Sequence, residues 1–344
     1  MNVDKVVLAS PRGFCAGVEK AIKALDWMTK IFERPIYCYH EIVHNQFVVE
    51  HFQRLGVVFI DSIDEAPTGA SIMLSAHGSP PLVVEAARSM GGVVIDAVCP
   101  LVTKVHHEMK VRSGKGYTVL YVGHEGHEEA VGTMAVAPES VHLIQNRADI
   151  DALRGDPGPK ALLSQTTLSF DEWADLRDYA LEVFPDIWMP NRSDLCFATT
   201  NRQAAVRGIA PLADAFVVIG SANSSNTVAL TKVAISNRVR TVLRINSPSE
   251  LPDSLAGVIA VTAGASAPES IVQEVVNALA ARNGVDTVSA TLEEEYFPPP
   301  PELRELIRTL TVLLNAVFQA PSRDLDPSME DRSFTAAMVL EGAI

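Results

Sequence analysis

The sequence predicts an α/β fold whose sheets are parallel and covered on both faces. Three observations carry that prediction. Short, nearly continuous apolar runs alternate with helical periodicity along 344 residues, the pattern of buried parallel strands joined by crossover helices. The composition is 47% apolar and 20% charged, ample for a large core. Polar, ligand-capable residues collect where the apolar runs end, and in parallel sheets that edge is where ligands bind.

In chain order, the run at 5–10 ends in a Ser-Pro-Arg-Gly-Phe turn, then Cys15, and a helical pattern covers 18–31. The run at 36–39 is followed by His44 and Asn45, the runs at 57–60 and 72–75 by a segment holding His77, Gly78 and Ser79. A helix is predicted over 82–90, and the strand at 93–96 leads into Cys99. The strand at 118–122 leads into "GHEGHEE", with His124, His127 and Glu129. A surface turn is expected at 155–159; the strand at 161–164 precedes Gln165, Thr166 and Thr167, and a helix follows over 171–183. Cys196 opens "CFATTN" just before a helix expected at 200–212. The strand at 216–219 precedes "GSANSSNT"; strands at 241–245 and 258–261 follow, the second leading into "TAGASAPES" and a helix over 266–281. Four prolines at 298–301 predict a stiff extended segment that is not helix, a helical pattern covers 302–317, and 319–344 reads as mixed and loosely attached.

The formal net charge is −14, from 28 basic and 42 acidic residues, with no Lys/Arg-rich run. Nucleic acid and anionic membrane surfaces are therefore poor partners; an anionic small substrate needs a local positive pocket. The start, MNVDKVVLAS, shows neither a basic n-region nor a long apolar h-region, and no window reaches the ~18 apolar residues of a membrane span. The expected location is the cytoplasm.

Of the four cysteines, Cys38 lies inside an alternating strand and reads as a small buried apolar residue. Cys15, Cys99 and Cys196 each sit at a turn beside Gly, Pro or a helix start, where helix N-termini favour thiolates and thiolates bind soft metals. Three such residues suit a metal centre with one open position: an iron–sulfur cluster short of one thiolate, or zinc bound by three cysteines and a histidine. His44, His77 and His127 follow strands, and with "SANSSN" and "GASAPES" they offer donors for an anion; Ser224, Ser225 and Asn226 at a helix start form a phosphate cradle or a plain cap. Glu129 is the carboxylate with histidines beside it, placed for proton delivery or simply solvated.

These motifs, "PRGFCAGV", "HNQFV", "SAHG", "CPLVTKVH", "GHEGHEEAVGTM", "SQTTLS", "CFATTNRQ", "NSSNT" and "VTAGASAP", resemble, in order over roughly residues 5–305, the 4-hydroxy-3-methylbut-2-enyl diphosphate reductase family. The resemblance implies a trefoil of three similar α/β domains with small parallel sheets around a central cluster cavity. The implied boundaries are 1–98, 99–195 and 196–282, with a C-terminal segment at 283–344. It implies a 4Fe–4S cluster held by Cys15, Cys99 and Cys196, and two-electron reductive dehydroxylation to isopentenyl and dimethylallyl diphosphate. A ferredoxin or flavodoxin would be the electron donor. By motif position, His44, His77, His127, Ser224, Asn226 and Ser266, with Ser225 among them, are similar to diphosphate ligands; Glu129 matches the proton-relaying acid, and Thr166 the hydroxyl that works with it. Two rival readings stand beside it: a paralogue with an unchanged ligand set that reduces another allylic diphosphate, and a non-catalytic iron–sulfur or metal-binding sensor, against which Glu129 and Thr166 count. Two departures stand out. The family usually has proline where this chain has Glu128, and the chain beyond about residue 308 exceeds the usual core.

Overall fold

The structure, a computed structural model, describes residues 1–318 and 331–342. The chain forms two compact units, Met1–Cys15 with Leu101–Glu294, and Ala16–Pro100 with Glu295–Ile344. Three separate all-parallel sheets carry the α/β architecture.

The first unit holds two of them. The larger is ordered β10-β9-β11-β1-β12, from β1 (Asn2–Ser10), β9 (Ala215–Ile219), β10 (Thr241–Ile245), β11 (Ala256–Ala263) and β12 (Val285–Ser289). Every residue of β9 is buried, as expected of a strand covered on both faces. Phe216, Val218 and Ala260 pack beneath Val206, Ile209, Leu230 and Val233 of α8 (Phe197–Ile209) and α9 (Ser225–Ser236). The smaller sheet, β7-β6-β8, comprises β6 (Thr118–Val122), β7 (Val141–Ile144) and β8 (Lys160–Ser164). Its faces are covered by Trp173, Leu176 and Ala180 of α7 (Phe170–Val183) on one side. Val105 and Met109 of α4 (Pro100–Gly114) cover the other.

The second unit contains the sheet β3-β2-β4-β5, from β2 (Ile36–Tyr39), β3 (Val57–Ile60), β4 (Ile72–Leu74) and β5 (Val94–Asp96). Its helices are α1 (Ala16–Ile31), α2 (Gln46–Arg54), α3 (Pro81–Ser89), α11 (Pro301–Phe318) and a short final helix, Ala336–Leu340. That final helix is not loosely attached. Glu19 on α1 accepts from the Ala336 N–H at 2.7 Å, and the buried Lys23 ammonium bonds Asp331 Oδ2 at 2.6 Å and the Phe334 carbonyl at 3.0 Å. The rest of the expected tail, 319–330 and 343–344, lies outside the described residues.

The strand expected at 5–10 begins at Asn2. It pairs with β11 and β12 rather than with β2–β5, so residues 1–15 join the sheet built mainly from residues 215–289. The proline run is not wholly extended: Pro301 opens α11, because the first helical turn needs no N–H from that residue and proline's fixed φ suits it. The helix expected from 266 starts at Glu269, and the one expected from 200 starts at Phe197.

Candidate active site

Each sheet gathers its chemistry at the carboxyl ends of adjacent strands. In the order β9-β11-β1, the loops that leave those strands carry Ser224–Asn226, Ser266 and Cys15. The turn after β1 is tied to its neighbour: the Gly13 N–H bonds the Ala263 carbonyl and the Cys15 N–H the Ala265 carbonyl, both at 3.2 Å. Gly13 has φ +66°, and a Cβ there would lie 3.2 Å from the Ala267 carbonyl oxygen, so a side chain would be strained and crowded.

Ser224 caps α9, its hydroxyl accepting from the Thr227 N–H at 3.4 Å. Ser225 is held from the other sheet of the same unit, its hydroxyl accepting from Gln165 Nε2 at 3.1 Å. Asn226 is 3% exposed, and neither its Oδ1 nor its Nδ2 has a hydrogen-bond partner among the described residues. A buried amide left so is costly, about 1–3 kcal/mol; at a helix N-terminus beside Ser224, its Nδ2 is a donor that a ligand's acceptor oxygen would satisfy. Two glycines close the loops around this helix start, since a Cβ at Gly220 or Gly264 would come 2.5 Å or 2.1 Å from Thr227 Oγ1.

At the second sheet, the ends of β6 and β8 are neighbours. His127 is the N-cap of α5 (Glu128–Met134). Its Nδ1 accepts the Glu129 N–H at 3.2 Å, which leaves Nε2 to carry the proton and to act as a donor. Glu129 is 2% exposed. Its Oε1 accepts from the Thr166 N–H at 2.6 Å and its Oε2 from Thr166 Oγ1 at 3.0 Å. Burial raises the Glu129 pKa to about 7, against the opposing pull of both Thr166 hydrogen bonds, with the Asp194 charge adding to the rise. A carboxyl poised near neutrality is suited to accept and release a proton. Glu128 and Glu129 lie in the first turn of α5, so their side chains diverge by the helical ~100°. Glu128 is half-buried.

Cys196 joins this group. It is the N-cap of α8, and its N–H donates to the Thr166 carbonyl at 2.9 Å. Two charged residues that the sequence gave no reason to single out hold the surroundings. Asp194 is buried; Oδ2 accepts from the Ser164 N–H at 3.3 Å, and Oδ1 from Lys104 at 3.2 Å. Arg202, 1% exposed, donates to the Gly13 carbonyl at 2.8 Å, the Phe14 carbonyl at 3.1 Å, the Ala198 carbonyl at 3.0 Å and Glu293 at 2.8 Å. One guanidinium thus fixes both the turn before Cys15 and the first turn after Cys196.

The second unit repeats the pattern at the ends of β2, β4 and β5. His44 Nδ1 lies 3.1 Å from Glu41 Oε2, which orients the ring. His44 and His77 stack with centroids 4.0 Å apart and planes 12° apart. The Cys99 N–H bonds the Ala76 carbonyl at 3.0 Å, joining that cysteine to the loop carrying His77. Cys15, Cys99 and Cys196 are half-buried thiols, each the last residue before a helix (α1, α4 and α8), whereas Cys38 is fully buried in β2. In donor chemistry, each partly accessible thiol at a helix start is suited to bind a soft metal as a thiolate.

Residues 6–280 match the family described as LytB protein. A 4-hydroxy-3-methylbut-2-enyl diphosphate reductase of Rhodopirellula baltica is 45% identical over 310 residues, 88% of this chain and 97% of that one. A 4-hydroxy-3-methylbut-2-enyl diphosphate reductase 2 of Rhodopseudomonas palustris is 44% identical over 87% of this chain and 96% of that one. Among solved structures, the E-1-hydroxy-2-methyl-but-2-enyl-4-diphosphate reductase of Plasmodium falciparum superposes with a TM-score of 0.86 at 32% identity, covering 90% of this chain and 100% of that one.

Proposed function

The chain belongs to the LytB protein family, and on that premise we propose that it is a 4-hydroxy-3-methylbut-2-enyl diphosphate reductase. The reaction is a two-electron reductive dehydroxylation: the allylic hydroxyl leaves as water and the products are isopentenyl and dimethylallyl diphosphate. Cys15, Cys99 and Cys196 are the proposed ligands of a 4Fe–4S cluster, which supplies the electrons and a Lewis-acidic iron for the hydroxyl. His44, His77, His127, Ser224, Ser225, Asn226 and Ser266 are the proposed diphosphate ligands. Holding the substrate by a group remote from the reacting carbon orients it, and in a chain of net charge −14 local donors must supply the affinity. The proposed electron donor is a ferredoxin or flavodoxin, and the proposed location is the cytoplasm. Among the described residues no helix is long and apolar enough to cross a membrane.

The observation that carries the reading is the buried Glu129–Thr166 pair with its carboxyl near pKa 7. Protonated at Oε2, Glu129 donates to Thr166 Oγ1, whose own hydrogen is then available to the departing hydroxyl. The carboxylate that remains is stabilised by the Thr166 N–H and takes up the next proton. A metal-binding sensor has no use for such a relay. The test is anaerobic purification with iron, sulfide and visible-absorbance measurements, followed by turnover of the named substrate beside longer and differently branched allylic diphosphates. Protein without iron and sulfide, or without preference for the named substrate, refutes the assignment.

A further inference from the structure

The residues just before Cys99 are pinned more tightly than a connecting turn requires. The Ala97 N–H bonds the Leu74 carbonyl at 3.1 Å, and the Cys99 N–H the Ala76 carbonyl at 3.0 Å. Between them, Val98 is gripped from both sides by charge. Its N–H donates to Asp96 Oδ1 at 2.9 Å, and its carbonyl accepts from the Lys20 ammonium at 2.8 Å. Lys20 stands on α1 and is 6% exposed.

A carbonyl can be satisfied by a neutral donor. An ammonium taken out of water is destabilising unless anions compensate it. The charges around Lys20 are Cys99, Asp96 and Glu302, opposed by Arg304; Arg88 also faces Asp96. A buried cation whose neighbours include a thiolate-forming side chain has a use beyond holding one peptide. When a thiolate-ligated centre gains an electron, its negative charge grows, and a fixed nearby cation stabilises the reduced form more than the oxidised one. Charge and hydrogen bonding around the ligands are among the levers that set such potentials, and in a poorly solvated setting the interaction is weakly screened.

We infer that Lys20 is a positioning and potential-setting residue for the Cys99 ligand: its ammonium fixes the Val98–Cys99 peptide and raises the reduction potential of the centre that Cys99 holds. The inference rests on the proposed function, since it needs a redox centre at Cys99. Asp96 is its counterweight, fixing the same residue from the N–H side while lowering the potential.

The experiment compares anaerobically purified wild type, Lys20→Arg, Lys20→Gln and Asp96→Asn. Iron and sulfide contents are measured first, then the midpoint potential by a reductive titration followed in the visible spectrum. Lys20→Gln keeps a donor for the Val98 carbonyl and loses the charge; its midpoint should fall. Lys20→Arg keeps the charge and should stay near wild type. Asp96→Asn keeps the acceptor for the Val98 N–H and should move the midpoint upward. A purely structural role predicts no such opposition in sign. An unchanged or raised midpoint in Lys20→Gln overturns the inference. If that variant loses its iron, Asp96→Asn decides, and an unchanged or lowered midpoint there overturns it. Wild-type protein lacking iron and sulfide refutes the proposed function and this inference together, whereas a loaded wild type with insensitive variants refutes this inference alone.

Discussion

Replacing Glu129 with glutamine removes a titration while keeping a shape. The rise of its pKa from 4.5 to about 7 corresponds to about 3 kcal/mol, at roughly 1.4 kcal/mol per unit. Desolvation is the main cause, so the rise belongs to the folded state, and the unfolded chain exposes an ordinary carboxyl. Between the two pKa values the native protein holds more protons than the unfolded chain. Stability therefore falls as the pH rises through that window, by about 3 kcal/mol in all, and levels off above about pH 7. In the Glu129→Gln variant the amide oxygen still accepts from the Thr166 N–H, but nothing titrates. Urea unfolding at about pH 5 and about pH 8 should show the variant gaining on wild type by most of that ~3 kcal/mol between the two conditions. Turnover gives the functional counterpart. Wild-type kcat should decline above about pH 7 as the donating form is lost, while the variant should be slower by at least ~10²-fold and lack that limb. A stability difference that is the same at both pH values refutes the burial argument. Near-normal turnover by the variant refutes the relay.

Four further outcomes follow from other parts of the structure. Cys15→Ser, Cys99→Ser and Cys196→Ser should each abolish the visible chromophore and activity, whereas Cys38→Ser, in the core of β2, should leave both in place; iron analysis of the four proteins checks this. Asn226→Leu should stabilise the ligand-free protein by about 1 kcal/mol, because a buried amide without partners is removed, yet raise KM sharply; a KM near wild type would mean that Asn226 faces no substrate. Glu128→Pro should leave turnover within a few-fold, since Glu128 is the first residue of α5 and proline is favoured there; a loss as large as that of Glu129→Gln would overturn the local assignment. Arg202→Met strands the Glu293 carboxylate and should cost about 3–5 kcal/mol, as breaking a buried pair does, read as a lowered urea midpoint.

What the sequence made legible was whatever a local pattern can encode. The strands β2, β3, β6 and β10 have the bounds expected of their runs, because each is rich in the branched and aromatic residues that suit a pleated surface, whether central and buried like β6 or at a sheet edge and partly exposed like β3 and β10. Two strands escaped because polar residues interrupt a short pattern. β12 is an edge strand with an almost wholly exposed face pattern, Val285–Ser289, held by backbone pairing to β1. β7 is four residues long and exposes His142. The start of α5 was hidden because "GHEGHEE" has the composition of a loop, and only the His127 cap and the burial of Glu129 reveal a helix.

The same limit applies to the site. The strand-end rule finds Cys15, His127, Thr166 and Ser224, since each follows an apolar run directly, and it cannot find what supports them. Lys20, Asp194 and Arg202 sit in helical or polar stretches where a charge ordinarily faces water. Each is nevertheless at least nine-tenths buried, because segments far apart in the chain close over it. The Arg202 guanidinium spans 189 positions to reach the Gly13 carbonyl, and Lys20 spans 78 to reach Val98. Such cations end on backbone carbonyls of the turns that present the cysteines, so their chemistry is set by strand order rather than by neighbours in sequence. The order β9-β11-β1 brings the turn at Cys15 beside the loop at Ser266. A one-strand change in that order would leave every motif intact and separate the groups that the motifs bring together.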